Sequence, residues 1–178
     1  MEIILKEKEI KKRVREIARI LKKEYKDKNP VVIGVLKGGF VFLADLVREM
    51  AIDCTLEFIR LSSYGKKSKI KEEDVKILWD LPLDIEGKDV ILIEDIVDTG
   101  HTLKFLKNNI LKRKPRSLKT VVFLDKYERR EVDVDVDIIG FKVPNKFLVG
   151  YGLDYNEKFR YFKDVYGLTE EEIERYGK

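Results

Sequence analysis

Apolar residues recur along the chain in two patterns, which together predict an α/β fold. Between positions 10 and 21 they return every three or four residues among charged ones, as in an amphipathic helix, which Asn29 and Pro30 should end. Short runs rich in branched residues predict strands at 31–36, 56–64, 75–79, 90–93 and 118–124. Helical spacing resumes at 40–47 and at 103–110. Strands that alternate with helices favour a doubly wound, mainly parallel sheet.

Three other segments carry patterns of their own. Residues 56–79 predict a long hairpin with a polar, flexible tip. Residues 132–137 alternate strictly between valine and aspartate, which predicts a half-exposed strand. The stretch from Thr169 to Glu172 resembles a capping box before a short final helix. These patterns alone assign no chemistry to any of the three segments.

The strand predicted at 90–93 leads into a turn that carries several polar groups. Glu94 and Asp95 follow the strand directly, Asp98 comes three residues later, and hydroxyls flank Gly100 where the next helix begins. A helix N-terminus offers unpaired N–H groups, and a glycine lets a phosphate approach that backbone closely. Because carboxylates do not bind phosphate, the ligand should also carry hydroxyls or a metal ion. A phosphorylated sugar fits this description.

Simpler interpretations of this turn also exist. Asp98 could serve only as a helix cap, and the acidic pair could be solvated at a strand end. Neither the P-loop string G-x-x-x-x-G-K-[ST] nor the dinucleotide string G-x-G-x-x-G occurs in the sequence. Three carboxylates interleaved with a phosphate-type turn favour a functional site over a cap.

A second strand-to-helix turn contains Lys37, Gly38 and Gly39. Paired glycines permit close approach of a ligand, and the lysine adds a positive charge. Lys126 follows a third predicted strand. Because the strands of a parallel sheet end at one edge, the two turns can meet across a crevice at a topological switch point. They would suit a ligand with two separated phosphate groups.

Composition narrows the class of protein. At 178 residues the chain suits one domain, and 37 Lys plus Arg against 33 Asp plus Glu give a net charge of +4. The two signs are interspersed, which argues against a nucleic-acid arm. Cys54 stands alone, which argues against a disulfide framework and predicts a reducing, cytoplasmic location. No signal-type run or apolar run of membrane-spanning length occurs, so no membrane association is expected.

Four motifs resemble those of purine phosphoribosyltransferases of the hypoxanthine-guanine type. The stretch I-L-I-E-D-I-V-D-T-G-H-T-L is similar to the family's phosphoribosyl-diphosphate motif, and V-L-K-G-G-F to its diphosphate loop. L-S-S-Y-G resembles its flexible loop, and V-P-N-K-F-L-V-G-Y-G-L-D-Y-N-E-K-F-R its purine-binding hood. The resemblance implies a type I phosphoribosyltransferase fold in one domain, 1–178, with a flexible hairpin loop. A small hood would be formed by the N-terminal segment and about 141–178.

The resemblance also implies roles for individual residues. Asp98 would be the catalytic residue, sharing the proton at purine N7 as N9 attacks the sugar. Glu94 and Asp95 would face the ribose hydroxyls and a magnesium ion, and Asp154 would bind a second magnesium ion. Three further sets of contacts are implied: 5-phosphate with Thr99, Gly100, His101 and Thr102; diphosphate with Lys37, Gly38 and Arg160; and the purine with Lys126, Phe147 and Leu148.

Three further features follow from the same resemblance. The peptide between Leu36 and Lys37 should be cis, as it is in the family. Ser63 and Tyr64 would belong to a flexible loop that closes over the reacting centre and excludes water. The family usually has Lys or an apolar residue at the position of His101. We therefore assign the His101 side chain no catalytic role.

The hypothesis is therefore a magnesium-dependent enzyme of purine salvage. It would move a phosphoribosyl group from phosphoribosyl diphosphate to hypoxanthine and/or guanine, giving IMP or GMP and diphosphate, and would form a homodimer or homotetramer. A nucleotide- and RNA-binding regulator on the same fold is the alternative, and it should show a broad basic face. A sugar-phosphate kinase is less favoured, because the sequence has no nucleotide-triphosphate loop.

Overall fold

The computed structural model describes residues 1–63 and 75–177. The strands are β1 (Glu2–Leu5), β2 (Val31–Leu36), β3 (Thr55–Ser63), β4 (Val75–Trp79), β5 (Asp89–Val97), β6 (Ser117–Asp125), β7 (Ile138–Lys142), β8 (Phe147–Val149) and β9 (Val165–Leu168). The helices are α1 (Glu7–Tyr25), α2 (Phe40–Met50), α3 (His101–Leu111) and α4 (Glu170–Tyr176), with a short 3-10 helix at Tyr127–Arg129. Within this part of the chain, no helix is both long and apolar enough to cross a membrane.

Six strands form the main sheet, in the order β4-β3-β2-β5-β6-β7. All neighbours are parallel except β3 and β4, which run antiparallel as the two arms of the predicted hairpin. Val31 of β2 pairs with Val90 of β5, which pairs with Leu118 of β6, so these three strands run in step. Their carboxyl ends therefore meet at one edge, and the predicted mainly parallel sheet is confirmed.

Helices cover both faces of this sheet, as the packing of successive side chains of β5 on opposite faces shows. Ile91 and Ile93 belong to the core cluster that contains the apolar faces of α1 and α2. Val90 and Leu92 belong to the cluster that contains α3. All four side chains are fully buried, because successive residues of a strand point to opposite faces and both faces are covered. The doubly wound arrangement is thus confirmed.

A second, antiparallel sheet of three strands has the order β1-β9-β8. Glu2 pairs with Gly167, and Phe147 pairs with Leu168, so the first residues of the chain are brought against residues 147–168. Strands of three or four residues carry too little periodicity to be identified from sequence, and none of these three strands was predicted. The capping box at Thr169 is confirmed, since its hydroxyl accepts a hydrogen bond from the Glu172 N–H at the start of α4.

Two predictions about strands are wrong. The strand expected at 90–93 continues as β5 to Val97, so the acidic pair lies inside a strand. Residues 132–137 form no strand, and β7 begins only at Ile138. Val134 and Val136 of that segment pack against the core cluster around α3, and Asp137 accepts hydrogen bonds from the Thr120 N–H and hydroxyl, both at 2.7 Å. The alternation of apolar and polar residues therefore reflects packing of an extended segment rather than pairing in a sheet.

A buried carboxylate fixes the amino end of β5. Asp89 is 5% exposed and accepts hydrogen bonds from Arg116 and from the Ser117 hydroxyl, the latter at 2.6 Å. These contacts, led by that of Arg116, lower the pKa of Asp89 from 3.8 to about 2. A carboxyl group whose pKa is lower in the folded state stabilises the fold above its unfolded pKa, and this contribution is lost as the pH falls.

We therefore expect Asp89→Asn to lower the free energy of unfolding by about 1–2 kcal/mol at pH 6. The difference from the wild type should shrink as the pH falls from about 4 towards 2, where Asp89 becomes protonated. Urea unfolding at several pH values measures it. Asp27→Asn is the control, because Asp27 is 84% exposed. A difference that stays constant down to pH 2 would contradict the assigned ion pair.

Candidate active site

The carboxyl ends of β2, β5 and β6 face the second sheet across a cleft of about 410 Å³. Residues that the sequence placed in different motifs line this cleft together: Lys37, Gly38, Asp95, Asp98, Lys126, Phe147, Leu148, Asp154 and Arg160. An adjoining cleft of about 330 Å³ is lined by residues 94–100, Thr102, Leu103 and Arg129. Asp95, Ile96 and Asp98 line both clefts, so a ligand that spans the two would pass over β5.

Glu94, which is buried, and Asp95, which is half-buried, form an acidic pair near the carboxyl end of β5. Burial, followed by the charge of Asp95, raises the pKa of Glu94 well above its usual value. Burial also raises the pKa of Asp95, although a hydrogen bond from the Ile96 N–H at 2.8 Å acts in the opposite direction. Among the described residues, Glu94 Oε2 is buried without a hydrogen-bond partner. Such an atom favours a cation or a hydroxyl as its ligand.

The turn after β2 packs directly against this acidic pair. The peptide between Leu36 and Lys37 is cis, as predicted. A Cβ atom on Gly38 would lie 1.6 Å from Asp95 Oδ2, and one on Gly152 would lie 2.4 Å from the Gly38 carbonyl oxygen. Side chains larger than hydrogen are therefore excluded at both positions. Glycine at position 38 lets the backbone reach the carboxylate.

Asp98 lies between two basic side chains. Its Oδ1 is 3.1 Å from Arg129 Nε, and its Oδ2 is 3.7 Å from Lys126 Nζ. Burial lowers the pKa of Lys126, and the carboxylate of Asp98 opposes that shift. The N-cap of α3 is Gly100, so the side chain of Asp98 is not the helix cap. The structure thus removes the simpler interpretation of this residue.

The turn from Thr99 to Thr102 leads into α3. Gly100 has a φ of +93°, a conformation that favours glycine, and a Cβ there would lie 3.1 Å from side-chain atoms of Val132 and Val134. The Thr99 carbonyl accepts hydrogen bonds from the N–H groups of residues 131 and 132. His101 Nε2 lies 3.5 Å from Glu131 Oε2, so its side chain is directed towards the same segment.

The second sheet supplies the opposite wall of the cleft. Phe147 is 40% exposed and meets the ring of Tyr155 edge to face at 4.9 Å, whereas Leu148 is 5% exposed. An aromatic face that stays partly open beside the cleft can stack on a planar ligand. Lys126, which is 7% exposed, also lines this cleft and supplies a hydrogen-bond donor there.

Charged side chains cluster at the end of the cleft nearest the turn after β2. Arg160 donates from Nη1 to the Gly152 carbonyl at 2.9 Å, and its Nη2 lies 2.9 Å from Asp154 Oδ1. Glu157 accepts hydrogen bonds from Lys37 Nζ at 2.8 Å and from Arg160 Nη2 at 3.0 Å. These contacts, that of Lys37 first, lower the pKa of Glu157. Two cations of the predicted site thus share one carboxylate.

Three charged residues of the clefts were not predicted. Arg60 lies in β3 and lines the larger cleft, and Glu157 lines it from the opposite side. Arg129 ends the 3-10 helix after Lys126 and contacts Asp98. A basic residue in the strand neighbouring β2 could have indicated Arg60, but the other two depend on contacts between distant segments. Of the predicted loop residues, Ser63 ends β3, and Tyr64 lies outside the described residues.

Comparisons with known proteins agree with this arrangement. Residues 1–156 match the family model described as phosphoribosyl transferase domain. The hypoxanthine-guanine phosphoribosyltransferase of Aquifex aeolicus is 51% identical over 167 residues, which cover 93% of each chain. The hypoxanthine phosphoribosyltransferase of Salmonella typhimurium is 44% identical over the same share of each chain. A crystal structure of a Bacillus anthracis hypoxanthine-guanine phosphoribosyltransferase has a TM-score of 0.89 at 41% identity, covering 95% of this chain and 99% of that one.

The contact between Gly38 and Asp95 predicts a coupled effect on stability. Gly38→Ala should lower the free energy of unfolding by about 1–3 kcal/mol, because the new methyl group would overlap the carboxylate. The same substitution in an Asp95→Ala background should cost much less, because the overlapping atoms are gone. Urea unfolding of the four proteins gives the coupling energy. Equal costs in both backgrounds would show that the methyl group is excluded by something other than Asp95.

Proposed function

The chain belongs to the phosphoribosyltransferase family, and from that premise we propose how its clefts transfer a 5-phosphoribosyl group from phosphoribosyl diphosphate to hypoxanthine and/or guanine. The products are IMP or GMP and diphosphate, and the reaction belongs to purine salvage. The observation that carries the proposal is the position of Asp98, which lines both clefts and lies beside Lys126. A carboxylate there adjoins both the sugar and the base of the substrates.

The smaller cleft holds the ribose 5-phosphate in this proposal. Backbone N–H groups and hydroxyls of residues 99–102 bind the phosphate at the start of α3, where the helix dipole also favours an anion. Glu94 and Asp95, at the adjacent end of β5, accept hydrogen bonds from the ribose hydroxyls. The high pKa that burial gives Glu94 agrees with a carboxyl group whose natural partner is a ligand.

The larger cleft binds the purine. Phe147 stacks on the ring, the Leu148 backbone meets one edge, and Lys126 donates a hydrogen bond to the 6-oxo group. Asp98 accepts or shares the N7 proton while N9 forms its bond to the sugar carbon and the bond to diphosphate breaks. Arg129, whose Nε lies 3.1 Å from Asp98 Oδ1 in an ion-pair contact, adds a positive charge beside that carboxylate. The diphosphate leaves with the electron pair of the broken bond, beside Lys37, Gly38 and Arg160.

The residues of the site fit magnesium. Glu94 Oε2 is a buried carboxylate oxygen without a hydrogen-bond partner among the described residues, and Mg²⁺ prefers oxygen ligands. Mg²⁺ is commonly held by one or two carboxylates together with substrate phosphates. Glu94 and Asp95 would hold one ion and Asp154 a second. Magnesium, when bound, neutralises charge on the diphosphate.

The chain acts as one catalytic domain, and its purine side is a hood formed by the N-terminal segment and residues from about 141 onwards. It works in the cytoplasm, where the free Cys54 stays reduced. It assembles as a homodimer or homotetramer, which sedimentation equilibrium would measure directly.

An assay of nucleotide formation tests the activity. Purified protein with Mg²⁺ and phosphoribosyl diphosphate should convert hypoxanthine, guanine or both to the nucleotide, followed by absorbance and chromatography. If no 6-oxopurine is converted, the proposed function is wrong. Parallel assays with hypoxanthine, guanine and xanthine would rank the three bases.

Asp98→Asn should lower turnover roughly 10²- to 10⁴-fold, the usual contribution of a general acid-base group. Binding of phosphoribosyl diphosphate should change far less, because the amide keeps the shape of the side chain and the phosphate contacts lie elsewhere. Steady-state kinetics and calorimetry measure the two quantities. Asp133→Asn, an exposed carboxylate outside both clefts, is the matched control. Equal losses of turnover and binding would assign Asp98 a structural role.

A further inference from the structure

Glu157 occupies the end of the cleft that the proposed function assigns to diphosphate. Its Oε1 lies 2.8 Å from Lys37 Nζ, and its Oε2 lies 3.0 Å from Arg160 Nη2. One carboxylate thus contacts both cations that would hold the leaving group. We propose that Glu157 is an internal competitor for the diphosphate subsite, an inference that rests on the proposed function. It holds the two cations when the subsite lacks diphosphate and leaves them when the diphosphate group binds.

The hydrogen-bonding capacity of Arg160 makes the competition direct. Each terminal nitrogen of a guanidinium group carries two hydrogens. Nη2 donates one of them to Glu157 Oε2 at 3.0 Å and forms an ion-pair contact with Asp154 Oδ1 at 2.9 Å, and Nη1 donates to the Gly152 carbonyl. A diphosphate oxygen that takes a hydrogen bond from Nη2 therefore competes with these two carboxylates. Glu157 is the one that also contacts Lys37, so its departure frees a donor on each cation.

The exposure of the two carboxylates shows which one can leave. The Glu157 side chain is 67% exposed, whereas that of Asp154 is 29% exposed. Asp154 Oδ2 also accepts a hydrogen bond from the Glu157 N–H at 2.8 Å, which fixes its position. A released Glu157 carboxylate would pass into water at little cost of desolvation. Exposed ion pairs are weak, so a ligand with several negative charges can replace them.

The backbone at Glu157 gives an independent reason to assign it a role. Tyr155 and Lys158 exchange backbone hydrogen bonds at 3.2 and 3.0 Å, closing a turn whose two central residues are Asn156 and Glu157. Both central residues have positive φ angles, 53° and 62°. Turns of this kind favour Asn followed by Gly. A glutamate at the second position is unfavourable for the turn itself, so the contacts of its carboxylate account for it better than the backbone does.

Glu157→Gln tests the proposal, because it removes the charge and keeps the size of the side chain. Calorimetric titration of the full chain with sodium diphosphate and MgCl₂ should show diphosphate bound about 3- to 10-fold more tightly than by the wild type, the range expected on losing weak exposed ion pairs. Glu86→Gln, an exposed glutamate on the turn before β5, should leave that affinity unchanged. The KM for phosphoribosyl diphosphate should fall in parallel in Glu157→Gln.

Glu157→Gly provides a second variant, since glycine suits the positive φ of this position. It should bind diphosphate more tightly as well, with a melting temperature at or above that of the wild type. Unchanged or weaker diphosphate binding by both variants would overturn the proposal and make Glu157 an organiser of Lys37 and Arg160. The binding measurement needs no turnover. Tighter binding by the variants together with no nucleotide formed by the wild type would therefore refute the proposed function and leave the competition standing.

Discussion

The structure of the site depends on the cost of removing two adjacent carboxylates, one buried and one half-buried, from water within a sheet. Glu94 and Asp95 lie near the carboxyl end of β5, and desolvation raises the pKa of both. Neighbouring groups reduce that cost: the Ile96 N–H donates to Asp95, and the charge of Arg160 acts on it across the cleft. Gly38 lacks a side chain, which lets the β2 turn pack against the same carboxylate. In the proposed function, a metal ion and sugar hydroxyls would offset the remainder.

Much of the main sheet could be predicted because buried parallel strands are almost purely apolar. β2, a buried parallel strand, and β4, the antiparallel edge strand, have the predicted bounds, since polar or glycine residues border each apolar run in the sequence. The carboxylates after Ile93 led to a strand end that was four residues too early, because their burial depends on contacts that the local sequence does not contain. The alternation at 132–137 was misleading for a related reason, since a helix can bury alternate valines as a neighbouring strand would.

The residues of the candidate site also separate into those that the local sequence predicts and those that only contacts between distant segments reveal. Lys37, Asp98 and Lys126 could be located because each follows a strand of the parallel sheet, and the sheet brings strand ends together. Arg129 and Glu157 could not, because each gains its role from a partner in another segment. Most cationic groups of the clefts already have acidic partners: Lys37 and Arg160 contact Glu157, and Arg129 contacts Asp98. The ligand therefore meets a site whose charges are largely balanced.

The pairing of β1 with β9 bears on how the protein is made. Glu2 pairs with Gly167, so almost the entire chain separates two strands that lie side by side. During synthesis β1 cannot pair until β9 has emerged from the ribosome, whereas the strands from β2 to β6 can assemble earlier. The side of the cleft that we propose binds the purine would therefore be the last part to form. A nascent chain that stalls late would hold a nearly complete main sheet while that side of the cleft is still missing.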